Sequence, residues 1–322
     1  GADSQGIVAG YLIEARYRLN ELADARHLLE RFGELIDAVS TADGMLCAGR
    51  VRARLEQADG NIAAARQTLL RLEETGYRMR LDRIVAWSIH EQVLLGLAAR
   101  EVSALPEQLR RLDELAQKYR AHKDCAWSEI PLAALMARAE HAAHLGEAAP
   151  ALAAIEAASL AAEANRRQVL GVRMALLRAL VLLRSGEREA ALQTGRENLR
   201  LAAEYGAIRL LADLGAIAQP LVTLLAQLEL NPAERACIDA ARTGEAADQP
   251  PVPDAAASGL LSSRELEVLH LLSRALSIKS IARGLNLSPG TVKWHLKNIY
   301  GKLGAVSRED ALARSRGLGL LR

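Results

Sequence analysis

Aromatic side chains are scarce in this chain of 322 residues: they make up 3% of it, although half of the residues are apolar. Leucine and alanine supply most of the apolar side chains. Both are strong helix formers, whereas β-strands favour β-branched and aromatic residues. The composition therefore predicts an all-α fold, and the length is sufficient for two domains.

Cysteine is equally scarce. Cys47, Cys125 and Cys237 are odd in number, far apart in the chain and without CxxC spacing. Such a distribution argues against a disulfide framework or a paired-cysteine metal site, and it is typical of free thiols in a reducing compartment. We therefore expect a cytoplasmic protein.

Long apolar runs and nucleotide-binding motifs are absent from the sequence. No run reaches the roughly 18 apolar residues that cross a bilayer, and no signal peptide is visible, so no membrane partner is expected. The G-x-x-x-x-G-K-[ST] motif for phosphate is missing as well. No cofactor is expected in this chain, and ATP is expected only if a nucleotide-binding domain lies upstream. The chain begins Gly-Ala-Asp without methionine, and we expect the natural protein to extend further upstream.

The sequence contains no recognisable catalytic constellation. Glu140, His141 and His144 share one predicted helix, but a metal site needs further ligands, and no HExxH pattern is present. We interpret these side chains as structural. Neither an enzyme nor a metal site is expected.

Residues 1–243 contain an internal repeat. Each copy starts with a turn residue and ends five positions later in a small or apolar residue. The copies are Asn20–Ala25, Gly60–Ala65, Arg100–Leu105, Gly146–Ala151 and Gly186–Ala191, and their last residues are 40, 40, 46 and 40 positions apart. Such a period predicts stacked helix pairs, each too thin to bury its apolar face alone. The pattern resembles tetratricopeptide repeats with a longer period, and we predict a sensor or interaction domain.

Two segments follow the last repeat copy. Residues 207–229 form an apolar pattern that predicts a helix broken or kinked at Pro220. The sequence from Asn231 to Glu234 predicts the start of a short helix that ends near Ala241. Residues 244–259 contain three prolines and no periodic apolar face, which predicts a flexible linker.

The charge is divided unevenly along the chain. From Ser258 onward there are 11 lysines and arginines against 4 acidic residues, a net charge of +7. The rest of the chain carries 30 basic and 35 acidic residues, a net charge of −5 within the total of +2. Binding of a polyanion such as DNA is therefore expected at the C-terminus.

Three short helical patterns follow one another in residues 261–304. Each begins with a serine that can cap a helix: Ser262, Ser277 and Ser288. The third pattern has an apolar stripe that steps by four, three and four positions: Val292, Leu296, Ile299 and Leu303. Lysines and a tryptophan lie away from this stripe. Two short helices that support a third with a basic outer face are typical of a helix-turn-helix, whose last helix enters the major groove of DNA.

The runs LSSRELEVLHLL, IARGLNLS and GTVKWHLKNIYGKLG resemble the LuxR-type (GerE-like) DNA-binding domain of bacterial transcription factors, over residues 260–322. The resemblance implies double-stranded DNA as a partner and a set of contact residues: Thr291, Lys293, Trp294, His295, Lys297, Asn298 and Lys302. Lys293, Trp294 and Lys297 match positions that face base edges, although the lysines could also contact only phosphates. His295 is equally compatible with a packing role.

Residues around this motif carry further expectations. Ile278 and Ser280 depart from the family pattern, which has a polar residue and a glutamate there, and this predicts a weaker cap on the second helix. Lys279 and Arg308 flank the site. A fourth helix opens at Ser307, and the resemblance implies that it contributes to a dimer contact, so a homodimer is expected on DNA.

The arrangement as a whole is similar to MalT-type regulators, which join a nucleotide-binding domain, a helical-repeat sensor and a C-terminal LuxR-type domain. We therefore expect a transcriptional regulator whose repeats sense a small molecule or a protein, with RNA polymerase as a further partner. The alternative is a helical-repeat adaptor for other proteins, with only secondary DNA contact. The related region of a sigma factor ranks third, because repeats stand where a promoter-melting domain is required.

Overall fold

The computed structural model describes residues 2–122 and 126–248, and then residues 263–274, 276–285, 292–293, 295–296, 299–300, 303, 305 and 307–317. These residues form helices and turns without a β-strand among them, as the composition predicts. The chain divides into two compact units, Gly1–Asp248 and Gln249–Arg322. No helix in the described ranges has the length and apolarity to span a membrane.

Consecutive helix pairs build most of the first unit, and short turns join the two helices of each pair. The helices are α1 (Ala2–Arg18), α2 (Leu22–Val39), α3 (Ala42–Ala58), α4 (Ile62–Met79), α5 (Asp82–Ala98), α6 (Leu105–Tyr119), α7 (Glu129–Leu145), α8 (Ala148–Ala164), α9 (Gln168–Arg184) and α10 (Arg188–Glu204). Short 3-10 helices at Val102–Ala104 and Ala126–Ser128 precede α6 and α7. The predicted repeat of helix pairs is confirmed.

The first residue of every repeat copy adopts the left-handed backbone conformation that ends a helix. The φ angles are 63° at Asn20, 74° at Gly60, 58° at Arg100, 78° at Gly146 and 87° at Gly186. The turns are closed by backbone hydrogen bonds, such as that from Glu187 N to Leu182 O at 3.0 Å. In four of the five pairs the chain thereby reverses within two or three residues, and between α5 and α6 the 3-10 helix Val102–Ala104 follows the turn.

The last residue of every repeat copy is buried in the first turn of the second helix. Four of these residues have no exposed surface and the fifth is 1% exposed: Ala25, Ala65, Ala151, Ala191 and Leu105. Small side chains at this point allow the second helix to lie close to its neighbours, where larger ones would overpack the core. The repeat signal in the sequence is therefore a packing requirement at the base of each turn.

The segment after the last pair differs in part from the broken or kinked helix predicted for residues 207–229. Residues 207–211 form turns, Ala212–Ala218 is a 3-10 helix interrupted at Gly215 (φ 68°, ψ −156°), and α11 (Gln219–Leu225) follows. Pro220 lies in the first turn of α11, where its missing N–H leaves no hydrogen bond unmade. The predicted break at Pro220 is therefore present, because the proline starts a new helix, but the prediction of a helix before it was wrong, since residues 207–218 form turns and a 3-10 helix.

Helix α12 (Pro232–Asp248) begins as predicted but ends later. Asn231 Oδ1 accepts hydrogen bonds from the backbone N of Ala233 and of Glu234, both at 2.9 Å, and Glu234 Oε2 accepts one from Asn231 N at 2.9 Å. This reciprocal arrangement is a capping box. The helix continues past Ala241 into the first residues of the predicted linker. Linker residues 249–259 lie outside the described residues.

A buried carboxylate joins three helices from three different pairs. Glu140 in α7 is 1% exposed; its Oε2 is 3.0 Å from His90 Nε2 in α5, and its Oε1 accepts from Arg173 Nε in α9 at 2.6 Å. Burial alone would raise the pKa of Glu140, but the charges of Arg173 and His90 outweigh it and lower the pKa to about 2. Burial disfavours the charged form of His90 as well, yet Glu140 and Glu91 raise its pKa.

The pair of His90 and Glu140 predicts a stability that depends on pH. Because the pKa of His90 is raised above 6.5 in the fold, its contribution is complete below pH 6.5 and is lost as the pH rises through the folded pKa. The contribution of Glu140 to stability is lost at acidic pH, as the pH falls from 4.5 to about 2. We expect His90→Gln to lower the free energy of unfolding by about 2 kcal/mol near pH 6, and by less at higher pH, in urea titrations.

His144→Gln is the matched control, because His144 lies one turn after Glu140 in the same helix. Burial lowers the pKa of His144, so its contribution is lost as the pH falls, the opposite direction to His90. A cost of His90→Gln that stays constant as the pH rises would contradict the charged pair.

Alanine substitutions at two glycines distinguish the effect of backbone strain on stability from that of steric crowding. A Cβ added at Gly186 or at Gly171 meets no heavy atom within 4 Å, but of the two only Gly186 has a positive φ. We expect Gly186→Ala to destabilise the fold by about 1 kcal/mol through the left-handed backbone. Gly171→Ala, inside α9, should stabilise it by about 0.5–1 kcal/mol. Chemical unfolding measures both changes. If the two substitutions changed the free energy of unfolding in the same direction, the left-handed turn geometry at Gly186 would be contradicted.

Candidate nucleic-acid interface

The second unit has a small apolar core of its own. It is supplied by α13 (Ser263–Ser273), α14 (Ile278–Leu285), α15 (Arg308–Gly317) and the helical residues of the segment 292–303. The core side chains are at most 7% exposed: Val268, Leu269, Leu272, Ile281, Ala282, Val292, Leu296, Ile299, Leu303 and Ala311. All four residues of the predicted apolar stripe are among them. The segment 292–303 therefore has a defined inner face.

Lysine lies on the outer face of this segment. Lys293 is exposed, while the adjacent Val292 is fully buried. His295 is only 7% exposed, which favours its packing role over a contact with phosphate. The remaining predicted contact residues lie outside the described residues: Thr291, Trp294, Lys297, Asn298 and Lys302.

Serine hydroxyls cap two helices of this unit. Ser277 Oγ accepts from the backbone N of Ser280 at 3.2 Å, and the two hydroxyl oxygens are 2.9 Å apart. The cap of α14 is therefore present despite the departures from the family pattern at Ile278 and Ser280. Ser307 Oγ accepts from Asp310 N at 3.1 Å, so α15 begins where the sequence predicts.

Two arginines of α15 hold the ends of other helical segments. Arg308 Nη2 donates to Leu272 O at 2.8 Å near the end of α13, and Arg314 Nη1 donates to Leu303 O at 3.3 Å. Each guanidinium thus satisfies a carbonyl that a helix end leaves unpaired. Arg308 was expected to flank the DNA site, but the structure gives it this tertiary role. Sequence reasoning missed Arg314, because nothing local indicates which distant carbonyl a surface arginine will reach.

The surface of the second unit is electropositive. In the part of this unit that the structure describes, two acidic side chains are classed as exposed, Glu267 and Glu309, and the exposed basic ones are more numerous: Arg274, Lys279, Arg283, Lys293, Arg314 and Arg316. Clustered positive charge raises the local concentration of a polyanion and favours contact with phosphates.

Helical segments around one core, with a lysine exposed on the third and a positive surface, define a helix-turn-helix DNA-binding unit. Residues 259–314 match the family described as bacterial regulatory proteins, luxR family. The C-terminal region of this chain is a LuxR-family (GerE) helix-turn-helix domain.

Similar curated proteins are regulators of transcription or response. The transcriptional activator protein CarR of Pectobacterium carotovorum subsp. carotovorum is 38% identical over 73 residues, 23% of this chain and 30% of that protein. The HTH-type transcriptional regulator MalT of Klebsiella pneumoniae subsp. pneumoniae is 35% identical over 71 residues, 22% of this chain and 8% of that protein. The nitrate/nitrite response regulator protein NarP of Escherichia coli (strain K12) is 51% identical over 52 residues, 16% of this chain and 24% of that protein. The chain thus spans less than a third of each relative, and no solved structure matches it significantly.

The cap of α14 can be tested by removing one hydroxyl. We expect Ser277→Ala to destabilise α14 by about 1 kcal/mol, because the Ser280 amide loses its acceptor. Hydrogen–deuterium exchange on the full chain should show faster exchange in residues 278–285.

Ser273→Ala is the matched control, because Ser273 Oγ donates to His270 O at 2.8 Å and caps no helix start. Its effect should stay within about 0.5 kcal/mol. Equal exchange rates of α14 in the two variants would rule out a stabilising cap.

Proposed function

We propose that this chain is a sequence-specific DNA-binding transcriptional regulator, in which the helical-repeat domain senses an effector or partner and controls the LuxR-family domain. The similar proteins support a role in regulation, since they are a transcriptional activator, a transcriptional regulator and a response regulator. In this proposal, the sequence between the two domains, which is predicted to be a flexible linker, allows the DNA-binding unit to respond to changes in the repeats.

The observation that carries this proposal is the orientation of the segment 292–303, whose apolar stripe is buried while Lys293 is exposed. In a helix-turn-helix the outer face of this segment enters the major groove. Lys293, Trp294 and Lys297 then reach base edges, where lysine donates to guanine O6 and N7 and an indole lies against a thymine methyl. The contacts to phosphates come from Thr291, Asn298 and Lys302.

The proposed regulator acts as two copies on DNA, with a coupling between its two domains. A two-fold operator matches a homodimer, because the symmetry of the protein mirrors that of the site. An effector controls the DNA-binding unit only if it binds the active arrangement of the chain more tightly than the inactive one. RNA polymerase is the further partner of a regulator that acts on initiation.

One groove of the first unit favours the alternative of an adaptor for other proteins. Its volume is about 450 Å³, and its lining includes the exposed Tyr77 together with Arg110, Arg111 and Leu115 of α6. An aromatic ring beside arginines is a typical contact surface for a partner chain. The two functions differ in their dependence on DNA: in the adaptor, binding to DNA is weak and does not affect partner binding.

Lys293→Ala tests the role in DNA recognition. An operator is first selected from random duplex DNA with the full chain, and binding is then measured by fluorescence anisotropy at several salt concentrations. For the wild-type chain, log K should fall steeply with log salt. We expect the variant to lose about 1–3 kcal/mol on the selected operator and less on unrelated DNA, because a base contact is removed.

Arg316→Ala removes the same charge from an exposed position of α15 and serves as the control, with a smaller loss expected. An equal loss of Lys293→Ala on all DNA sequences would reassign this lysine to a phosphate. Weak binding of the wild-type chain to every selected sequence would favour the adaptor.

A further inference from the structure

One aspartate from outside the helix pairs lies among polar side chains of the first unit that are distant in sequence. Asp213 Oδ1 accepts a hydrogen bond from the Tyr17 hydroxyl at 2.7 Å and one from Arg209 Nε at 3.3 Å. Its Oδ2 accepts from Arg54 Nη1 at 2.9 Å. The side chain of Asp213 is 9% exposed. The carboxylate therefore connects α1 and α3 with the segment that follows the last helix pair.

The donors around this carboxylate are also held by other groups. Arg54 donates through Nε and Nη2 to both carboxylate oxygens of Glu91, at 2.9 and 2.8 Å. Arg209 Nη1 donates to Asn20 Oδ1 at 2.8 Å, and its guanidinium carbon lies 4.7 Å from the centre of the Tyr17 ring. The site is thus arranged in advance for an anion, which lowers the entropy lost on binding.

The site also needs an anion. In the described part of the chain, Asp213 is the carboxylate that pairs with Arg209, which is 9% exposed. A buried guanidinium without a counter-charge is strongly unfavourable. Arg173, 3% exposed, donates from Nη2 to Asp213 O at 3.2 Å, while its Nη1 is buried and has no hydrogen-bond partner among the described residues. One further donor is therefore open to a larger ligand.

The segment that carries Asp213 has weaker backbone hydrogen bonding than the α-helices around it. It consists of turns and a 3-10 helix, whose hydrogen-bond geometry is poorer than that of an α-helix, and Gly215 interrupts it. A cavity of about 20 Å³ bordered by Tyr17, Arg50 and Arg54 has room for one water molecule. A ligand therefore reaches these donors only if Asp213 leaves them.

We propose that this interior is a carboxylate-binding site that Asp213 occupies in cis, and that a small carboxylate effector binds there by displacing Asp213. The inference rests on the sensing role proposed above. The carboxylate of the effector replaces the Asp213 carboxylate between Tyr17, Arg54 and Arg209. A second polar group of the effector accepts a hydrogen bond from Arg173. This extra contact is required because a tethered aspartate competes at a high effective concentration.

The position of the segment in the chain links the site to the output. Residues 207–218 precede α11 and α12, and Gln219 Nε2 donates to Ala241 O of α12 at 3.2 Å. Displacing Asp213 would weaken the packing of this segment against α12. Helix α12 is the last helix of the first unit before the DNA-binding unit in the chain. A ligand in the interior can thereby change the arrangement of the part of the chain that carries the linker.

Asp213→Ala in the full chain tests the site by chemical rescue. The variant removes the tethered carboxylate and leaves its donors in place, so its unfolding temperature in chloride should fall. Acetate at equal ionic strength should restore about 2–4 °C, because it binds the vacated donors in the folded state alone. Circular dichroism over a series of acetate concentrations measures this shift.

Asp59→Ala is the matched control, because Asp59 pairs with Arg26 at 2.6 Å on the surface. It should unfold at the same temperature in both salts. Equal unfolding temperatures of Asp213→Ala in chloride and acetate would overturn the carboxylate site. Should that variant not fold, hydrogen exchange on the wild-type chain decides: succinate must accelerate exchange in residues 207–218 relative to sulfate at equal ionic strength, and no acceleration overturns the proposal.

The operator affinity of Asp213→Ala, with and without acetate, separates the site from the sensing role. A change in affinity that depends on acetate supports the effector. Rescue of stability by acetate without any change in operator affinity would overturn the effector role of this site, while the carboxylate site itself and the sensing of another effector or partner by the repeats would stand.

Discussion

The first unit depends on one constraint, the close approach of two helices at a short turn. The turn requires a left-handed residue such as Gly60 or Asn20, and the second helix buries a residue five positions later, which is alanine in four of the five copies, as at Ala65 and Ala25. A pair built in this way is too thin to bury its own apolar face, so each pair has to pack on its neighbours. Stacking of this kind produces an extended core made mostly of small and aliphatic side chains, with a few buried aromatic ones such as Trp87.

A core of such uniform composition does not by itself specify which helix pairs become neighbours. Polar side chains between the pairs supply this specificity. The helices that begin the pairs contribute Arg54, Glu91, Glu140 and Arg173, which form charged hydrogen bonds between neighbouring pairs. Charged groups removed from water are stable only when each finds its partner at good geometry. The network therefore fixes the order and spacing of the pairs, and it also brings the carboxylate of Asp213 to donors that are distant in sequence.

The second unit uses the same physics on a smaller scale. Its core contains few side chains, so hydrogen bonds at the ends of its helices contribute strongly to its stability. Serine hydroxyls cap α14 and α15, and Arg308 and Arg314 satisfy carbonyls at the ends of other segments. The apolar stripe of the segment 292–303 is buried in this core, while Lys293 is exposed on its outer side.

Local signals in the sequence determined the helices, their turns, the capping box at Asn231 and the inner stripe of the segment 292–303. Each of these depends on residues within one or two helical turns, where spacing and backbone preference act directly. Only the tertiary structure decided that Pro220 starts a helix, that Arg308 serves α13, and that Asp213 meets Tyr17 across 196 positions. These outcomes depend on which buried charges and carbonyls come together when the pairs stack. A single sequence carries no local signal for contacts over such distances.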